Sequence, residues 1–179
     1  MLKALKEIGL FKAIRFLLFE IVLLLFKLII LPQARVVYLR MLGANIGKDV
    51  IIHDVNFFNC YRKGFKGLSM GDNSFIGNDC LFDLADSITL ERNVTLSERV
   101  SIITHLNVGY RDHPLQIKFP SVAKGVVINE NVFVGVNATI LPGVTVKSGS
   151  FIAASSLVNK DVEENTLVGG VPAAIIRKI

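Results

Sequence analysis

Between residues 128 and 162 the chain repeats in sixes. Ile128, Val134, Ile140, Val146, Ile152 and Val158 hold one aliphatic slot. Four places after each come Val132, Ala138, Val144, Ser150, Ser156 and Val162, all small or β-branched. The residue after the aliphatic is often small or turn-forming, as at Asn129, Gly135, Ala153 and Asn159. An α-helix has period 3.6 and a strand period 2, so neither keeps a strict six in phase by itself. Fixed slots at a fixed interval predict short, equivalent units stacked on one another, each too small to bury its own apolar face.

The period reaches back through the chain with interruptions. Ile46 and Ile52 are in phase after Gly43. Residues 56–68 break the pattern and read as a loop or irregular coil. The repeat resumes at Met70 and Ile76, each followed by Gly, slips by two residues near 83–87, and continues at Leu90, Leu96 and Ile102. The inward slots of this stretch are Ser74, Cys80, Val94 and Val100. A second break covers residues 104–125. After Pro172, residues 173–179 read as a short terminal helix capping the open end of the stack.

Ahead of the repeat, residues 1–31 are dominated by Leu, Ile, Phe and Ala, with one Gly and no Pro before Pro32, which predicts helix. The apolar run 16–31 is too short for a bilayer span and contains Glu20 and Lys27. A basic start and apolar middle suit a signal peptide, but no small-residue cleavage site follows. A helix lying in the membrane interface, with lysines at the headgroups, accounts for the pattern better. The competing reading is a helix packed on a neighbouring subunit. Residues 35–40 continue as helix or extended linker.

Charge sharpens that division. The net charge is +5, yet residues 1–48 carry eight Lys/Arg against two Glu, and the remainder is at −1. The basic excess therefore belongs to the N-terminal segment. At 51% hydrophobic and 20% charged, the chain is not a disordered one. Cys60 and Cys80 make no disulfide framework, and Cys80 in an inward slot reads as a small buried thiol.

Four segments carry a family likeness: Val132-Phe133-Val134-Gly135, Ile140-Leu141-Pro142-Gly143-Val144, Asn159-Lys160-Asp161-Val162 and Gly170-Val171-Pro172-Ala173. Their order and spacing resemble the maltose, galactoside and xenobiotic acetyltransferases of the hexapeptide-repeat acyltransferases. The likeness runs from about Gly43 to Ile179. It implies an all-β domain at 43–179, a left-handed parallel β-helix, preceded by an apolar helical segment at 1–42. It also implies a homotrimer using acetyl-CoA, with a sugar or glycan hydroxyl as acceptor, and no metal or nucleic acid. The expected location is the cytoplasm, on the inner face of the membrane.

The three histidines can be weighed singly. His105 opens the second break, where the resemblance places the general base. A neutral imidazole in reach of an alcohol can take its proton during attack on a thioester. His113, in Asp112-His113-Pro114, is the alternative base or a substrate-loop residue, and His53 a surface residue. The gaps of 52 and 8 between them do not match the three-histidine zinc site found elsewhere on this fold. The resemblance further points to Asp83 as the carboxylate orienting the base and to Asn78 as a substrate contact. Gly77 stands where the family usually has Asn.

For the cofactor, the resemblance implies that the pantetheine arm follows Gly135, Val136 and Ala154, with Asn159, Lys160 and Arg177 towards its phosphates. Phe133 stands for the usual Trp, and Ala174 for a frequent basic residue. The expected chemistry is O-acetylation of a sugar in polysaccharide or lipid-linked glycan synthesis. The alternatives are N-acetylation of an amino sugar or amino acid, and a non-catalytic scaffold.

Overall fold

The structure, a computed structural model, describes residues 9–179. Lys3 and Lys6, part of the basic N-terminal pattern, lie outside the described residues. From residue 45 to residue 169 the chain winds as a parallel β-helix of three faces. The first face stacks Asn45–Ile46, Leu68–Met70, Ile88–Leu90, Val126–Ile128 and Thr145–Val146. The second stacks Ile51–Ile52, Phe75–Ile76, Thr95–Leu96, Phe133–Val134, Phe151–Ile152 and Thr166–Gly169. The third stacks Val55–Phe58, Cys80–Asp83, Ser101–Ile102, Thr139–Ile140 and Leu157–Val158.

Each six-residue unit is one face and one corner. The aliphatic slot points inward: Ile128, Val134, Ile140, Val146 and Ile152 are fully buried and Val158 is 1% exposed. The second slot fills the corners, where Val132, Ala138, Val144, Ser150, Ser156 and Val162 are all buried. Inward hydroxyls stay satisfied: Ser150 donates to Glu163 O at 2.7 Å and Ser156 to Ala153 O at 2.7 Å. Many corners need a left-handed residue, and Asn supplies it at 73, 93, 131, 137 and 165, because its short amide tolerates that conformation. Asn93 Nδ2 donates to Asn131 Oδ1 at 2.7 Å, tying two coils through such a corner.

The breaks in the period have one location. Partners on the first face are 18 residues apart in the regular block (Val127↔Thr145). They are 20 apart at Leu68↔Ile88, 24 at Asn45↔Ser69 and 38 at Ile88↔Val126. The long excursions at 59–67 and 103–125, and the slip of two near 83–87, all leave between the third face and the first. Residues 56–68 are more ordered than their sequence suggests. Val55–Phe58 completes the third face, because Val55 and Phe57 alternate inward although they fall out of the six-residue phase. A short helix, Cys60–Lys63, and a 3-10 turn, Gly64–Gly67, follow.

The C-terminus corrects the expected helix. Ala174–Lys178 is a strand, antiparallel to Thr166–Gly169, with Leu167 opposite Arg177. Five residues are too few to repay helix nucleation, whereas Ile175 and Ile176 suit a strand and cover an edge that would stay open.

Two helices precede the coils: α1 (Leu10–Leu28) and α2 (Pro32–Met41). Phe19, Val22, Leu23 and Phe26, at i, i+3, i+4 and i+7, turn α1 onto the early coils. Phe26 is fully buried, edge-on to Phe57 at 5.4 Å, and Phe57 in turn meets Phe65 and Phe82. Tyr38 of α2 donates to Val22 O at 2.9 Å and fixes the angle between the helices. Both cysteines are buried and free, and burial pushes the Cys60 thiol up to about 12 and the Cys80 thiol to about 11.

Candidate active site

The corner between the third and first faces gathers side chains from three successive coils. Val55–Phe58, Cys80–Asp83 and Ser101–Ile102 lie one above another on the third face, so Asn59, Asp83 and His105, at or just past their ends, become neighbours despite their distance in sequence. Asp83 is fully buried and His105 is 24% exposed. His105 Nδ1 lies 2.5 Å from Asp83 Oδ2. Thr104 N donates to the same oxygen at 2.9 Å. Asp83 Oδ1 accepts from Asn59 Nδ2 at 2.8 Å and from Ala85 N at 3.1 Å.

Those partners fix protonation. Burial pushes the Asp83 carboxyl up, but the bonds from Asn59, His105, Thr104 N and Ala85 N outweigh it and hold it below the usual carboxylate range. An ionised carboxylate accepts only, so the proton of the neutral imidazole sits on Nδ1 and the lone pair on Nε2. The ring is further held by Phe58, edge-on at 6.3 Å. Asn59 itself is in the left-handed region (φ 58°), which aims its amide back at Asp83 and His105; the amide lies 3.5 Å from Nδ1.

His113 sits elsewhere. It is exposed on the excursion at 103–125 and caps the 3-10 turn Pro114–Gln116, its Nδ1 accepting from Leu115 N at 3.1 Å. Asn78 is exposed in the corner between the second and third faces, and its carbonyl accepts from Arg99 N. Gly77 beside it has a packing reason: a Cβ would come 2.8 Å from Glu98 N. His53 is half-buried against Phe75. Among the described residues no group of three or more His, Cys, Asp or Glu is placed to hold a metal ion.

The cofactor candidates divide between places. Gly135, Val136 and Ala154 share the corner between the second and third faces. Asn159 and Lys160 are exposed at the corner that carries His105, and Arg177 is exposed on the terminal strand. Gly135 is needed by the stack itself, since a Cβ would meet Ala154 N at 2.7 Å. Its N–H is spent on Ile152 O at 2.9 Å, so it is not available to stabilise an oxyanion. Val136 N and Ala154 N have no partner among the described residues. Phe133 stacks on Phe151 at 4.5 Å and forms an apolar wall on the second face.

Comparison with known proteins fits this geometry. The model described as "Hexapeptide repeat of succinyl-transferase" matches residues 67–97 and 125–160. WcaF of Escherichia coli, named for colanic acid biosynthesis as an acetyltransferase, is 30% identical over 149 residues, covering 83% of this chain and 77% of its own. The chain belongs to the hexapeptide-repeat acetyltransferases. A crystal structure of a maltose O-acetyltransferase from Clostridium difficile superposes with TM-score 0.78 at 28% identity, over 96% of this chain and 89% of that one. A hexapeptide-repeat acetyltransferase from Vibrio cholerae, complexed with acetyl-CoA, gives 0.76 at 27% identity, over 88% and 82%. The β-helix of this acetyltransferase is thus the left-handed one of the family. An acetyltransferase relative from Schizosaccharomyces pombe is 38% identical over 113 residues, 61% of this chain, and the chain spans about half of its length.

Sequence reasoning reached His105 and Asp83, which the fold brings into contact, but not Asn59 or Thr104. Asn59 falls in the first break, where the period that locates residues is lost. Its one signal is its place beside Phe58, at the end of a third-face segment, as Asp83 is in the next coil.

Proposed function

We propose that this acetyltransferase moves an acetyl group from acetyl-CoA to a sugar hydroxyl, in the building of a polysaccharide or lipid-linked glycan. The observation that carries the reading is the His105–Asp83 pair, whose hydrogen bonding leaves Nε2 as a lone-pair acceptor on a partly exposed ring. The acceptor O–H gives its proton to Nε2 while the oxygen attacks the thioester carbonyl. The tetrahedral intermediate collapses with loss of the C–S bond, and the imidazolium returns the proton to the thiolate, giving the O-acetyl sugar and CoA. Asp83, a positioning residue, holds the tautomer and offsets the imidazolium charge. The unpaired Val136 N is the donor for the oxyanion. Maltose and colanic acid in the relatives' names support a saccharide acceptor.

The separation of corners supports a homotrimer. Within one chain the Val136–Ala154 turn is one face away from His105, so a complete site forms where His105 of one subunit meets the cofactor groove of the next. Gly135, Val136 and Ala154 would then line the pantetheine arm, with Asn159, Lys160 and Arg177 towards the phosphates. Asn78 and His113 are assigned to acceptor contacts. The segment 1–42 acts as a peripheral anchor on the inner membrane face, and 43–179 as the catalytic domain.

Thiol release from acetyl-CoA with a panel of sugars and amino sugars tests the reading. His105→Ala should lower turnover by about 10²- to 10⁴-fold with unchanged circular dichroism. Turnover near wild type in that variant would remove His105 from the mechanism. Release only with amines would move the reaction to N-acetylation.

A further inference from the structure

Next to the His105 corner lies a cleft of about 780 Å³, between α1, the helix Cys60–Lys63 and the excursion at 103–125. Among the described residues its charged lining is wholly cationic: Lys12 and Arg15 from α1, Arg62 from the short helix, and Arg111 from the excursion. Asn107 and Gln116 add neutral polar groups, with Gln116 Nε2 donating to Asn107 Oδ1 at 3.0 Å. Among the described residues no carboxylate lines it. Asn107 is two residues beyond His105 and Tyr61 two beyond Asn59, so the cleft begins within about 7 Å of chain from the proposed base.

These cations are set apart by sharing one cleft, while four others on the surface are each answered by a carboxylate. Lys27, Lys63, Arg92 and Lys147 are paired with Asp54, Asp86, Glu130 and Glu163. Among the described residues none of Lys12, Arg15, Arg62 and Arg111 has a carboxylate partner. Lys12 and Arg15 are also neighbours on one helix face, an arrangement that costs stability unless an anion relieves it. The Arg15 guanidinium is placed by stacking on Phe19, 5.7 Å from the ring centroid, which leaves its N–H groups to a ligand.

We propose that the acceptor is an anionic sugar, a glycosyl phosphate or diphosphate, whose phosphate sits in this cleft while its hydroxyl reaches His105. A single carboxylate brings one negative charge to four cations. A phosphate ester brings about two, with three oxygens suited to forked guanidinium donors. This assignment rests on the acetyl-transfer reading and narrows its acceptor class.

The test uses the full chain saturated with CoA, so that a pyrophosphate probe cannot occupy the cofactor site. Calorimetric titration with inorganic pyrophosphate should show saturable binding. Arg62→Gln and Arg111→Gln should each weaken it about tenfold, and Arg62→Lys should recover part of the loss, with circular dichroism unchanged. Absence of binding, or equal binding to the double Gln variant, overturns the anion site. In thiol release, a sugar 1-phosphate should show a KM about tenfold below that of the parent sugar, and the double variant should erase the difference. Neutral sugars acetylated as well as phosphorylated ones, without pyrophosphate binding, sink this proposal and leave acetyl transfer standing. Pyrophosphate binding without thiol release from any acceptor overturns the acceptor assignment through the reading beneath it, while the anion site stands. If the double variant loses affinity for anionic vesicles but keeps its KM for sugar phosphate, the cations serve lipid headgroups and the proposal fails.

Discussion

Asp83 is a buried carboxylate kept ionised by four donors, and its fate with pH follows from that. Its pKa is lowered on folding, so the stability it contributes is present above the ordinary carboxylate value and lost as pH falls through the folded one. Asn59→Ala removes one donor and lets that pKa rise. The acid-unfolding midpoint of the variant, followed by circular dichroism, should therefore lie at higher pH than that of the wild type; an unmoved or lower midpoint would deny Asn59 this part. His105 was legible from sequence because it opens the longest break in the period, where the family resemblance places the base. Asn59 was not, because it is 46 residues from His105 and only the stacking of coils closes that distance.

A coil of eighteen residues has one inward side chain per face, so each carries much of that coil's cohesion. Ile140→Ala, at a fully buried slot, should cost about 2–5 kcal/mol in urea unfolding. Gly135→Ala meets backbone rather than a movable side chain and should cost about 1–3 kcal/mol or more. A neutral result at Gly135 would mean that the coils can part locally. The slots from 128 to 162 could be assigned residue by residue, since periodicity alone sets which side chains face in. The terminal strand Ala174–Lys178 could not, because its partner is an edge that exists only once the last coil is laid down. Val55–Phe58 was missed for a related reason: its inward residues keep the two-residue alternation of a strand but not the phase of the repeat.

At the scale of the molecule, α1 is the least settled element. Its inner side joins the core, but Leu17, Leu24 and Leu28 are each more than 60% exposed. A helix facing water there would carry polar residues. Among the described residues no helix is long and apolar enough to cross a membrane. Removing residues 1–32 would strip Phe26 from Phe57, so point changes are the sharper probe. Leu17→Glu with Leu24→Glu should abolish pelleting with anionic vesicles while the fold is kept. Undiminished pelleting would take α1 off the membrane, and loss of the proposed trimer to monomers in the variant would assign it to subunit packing. The excursions from the coil have a wider consequence. They share one corner, so the stack can be inherited unchanged while that corner is rewritten. A lineage can thus acquire new acceptors by exchanging the outer part of an excursion, and a chimera that swaps residues 106–121 for those of a relative, with Asn59, Phe65, Thr104 and His105 left in place, should take the relative's acceptor preference without relearning how to fold.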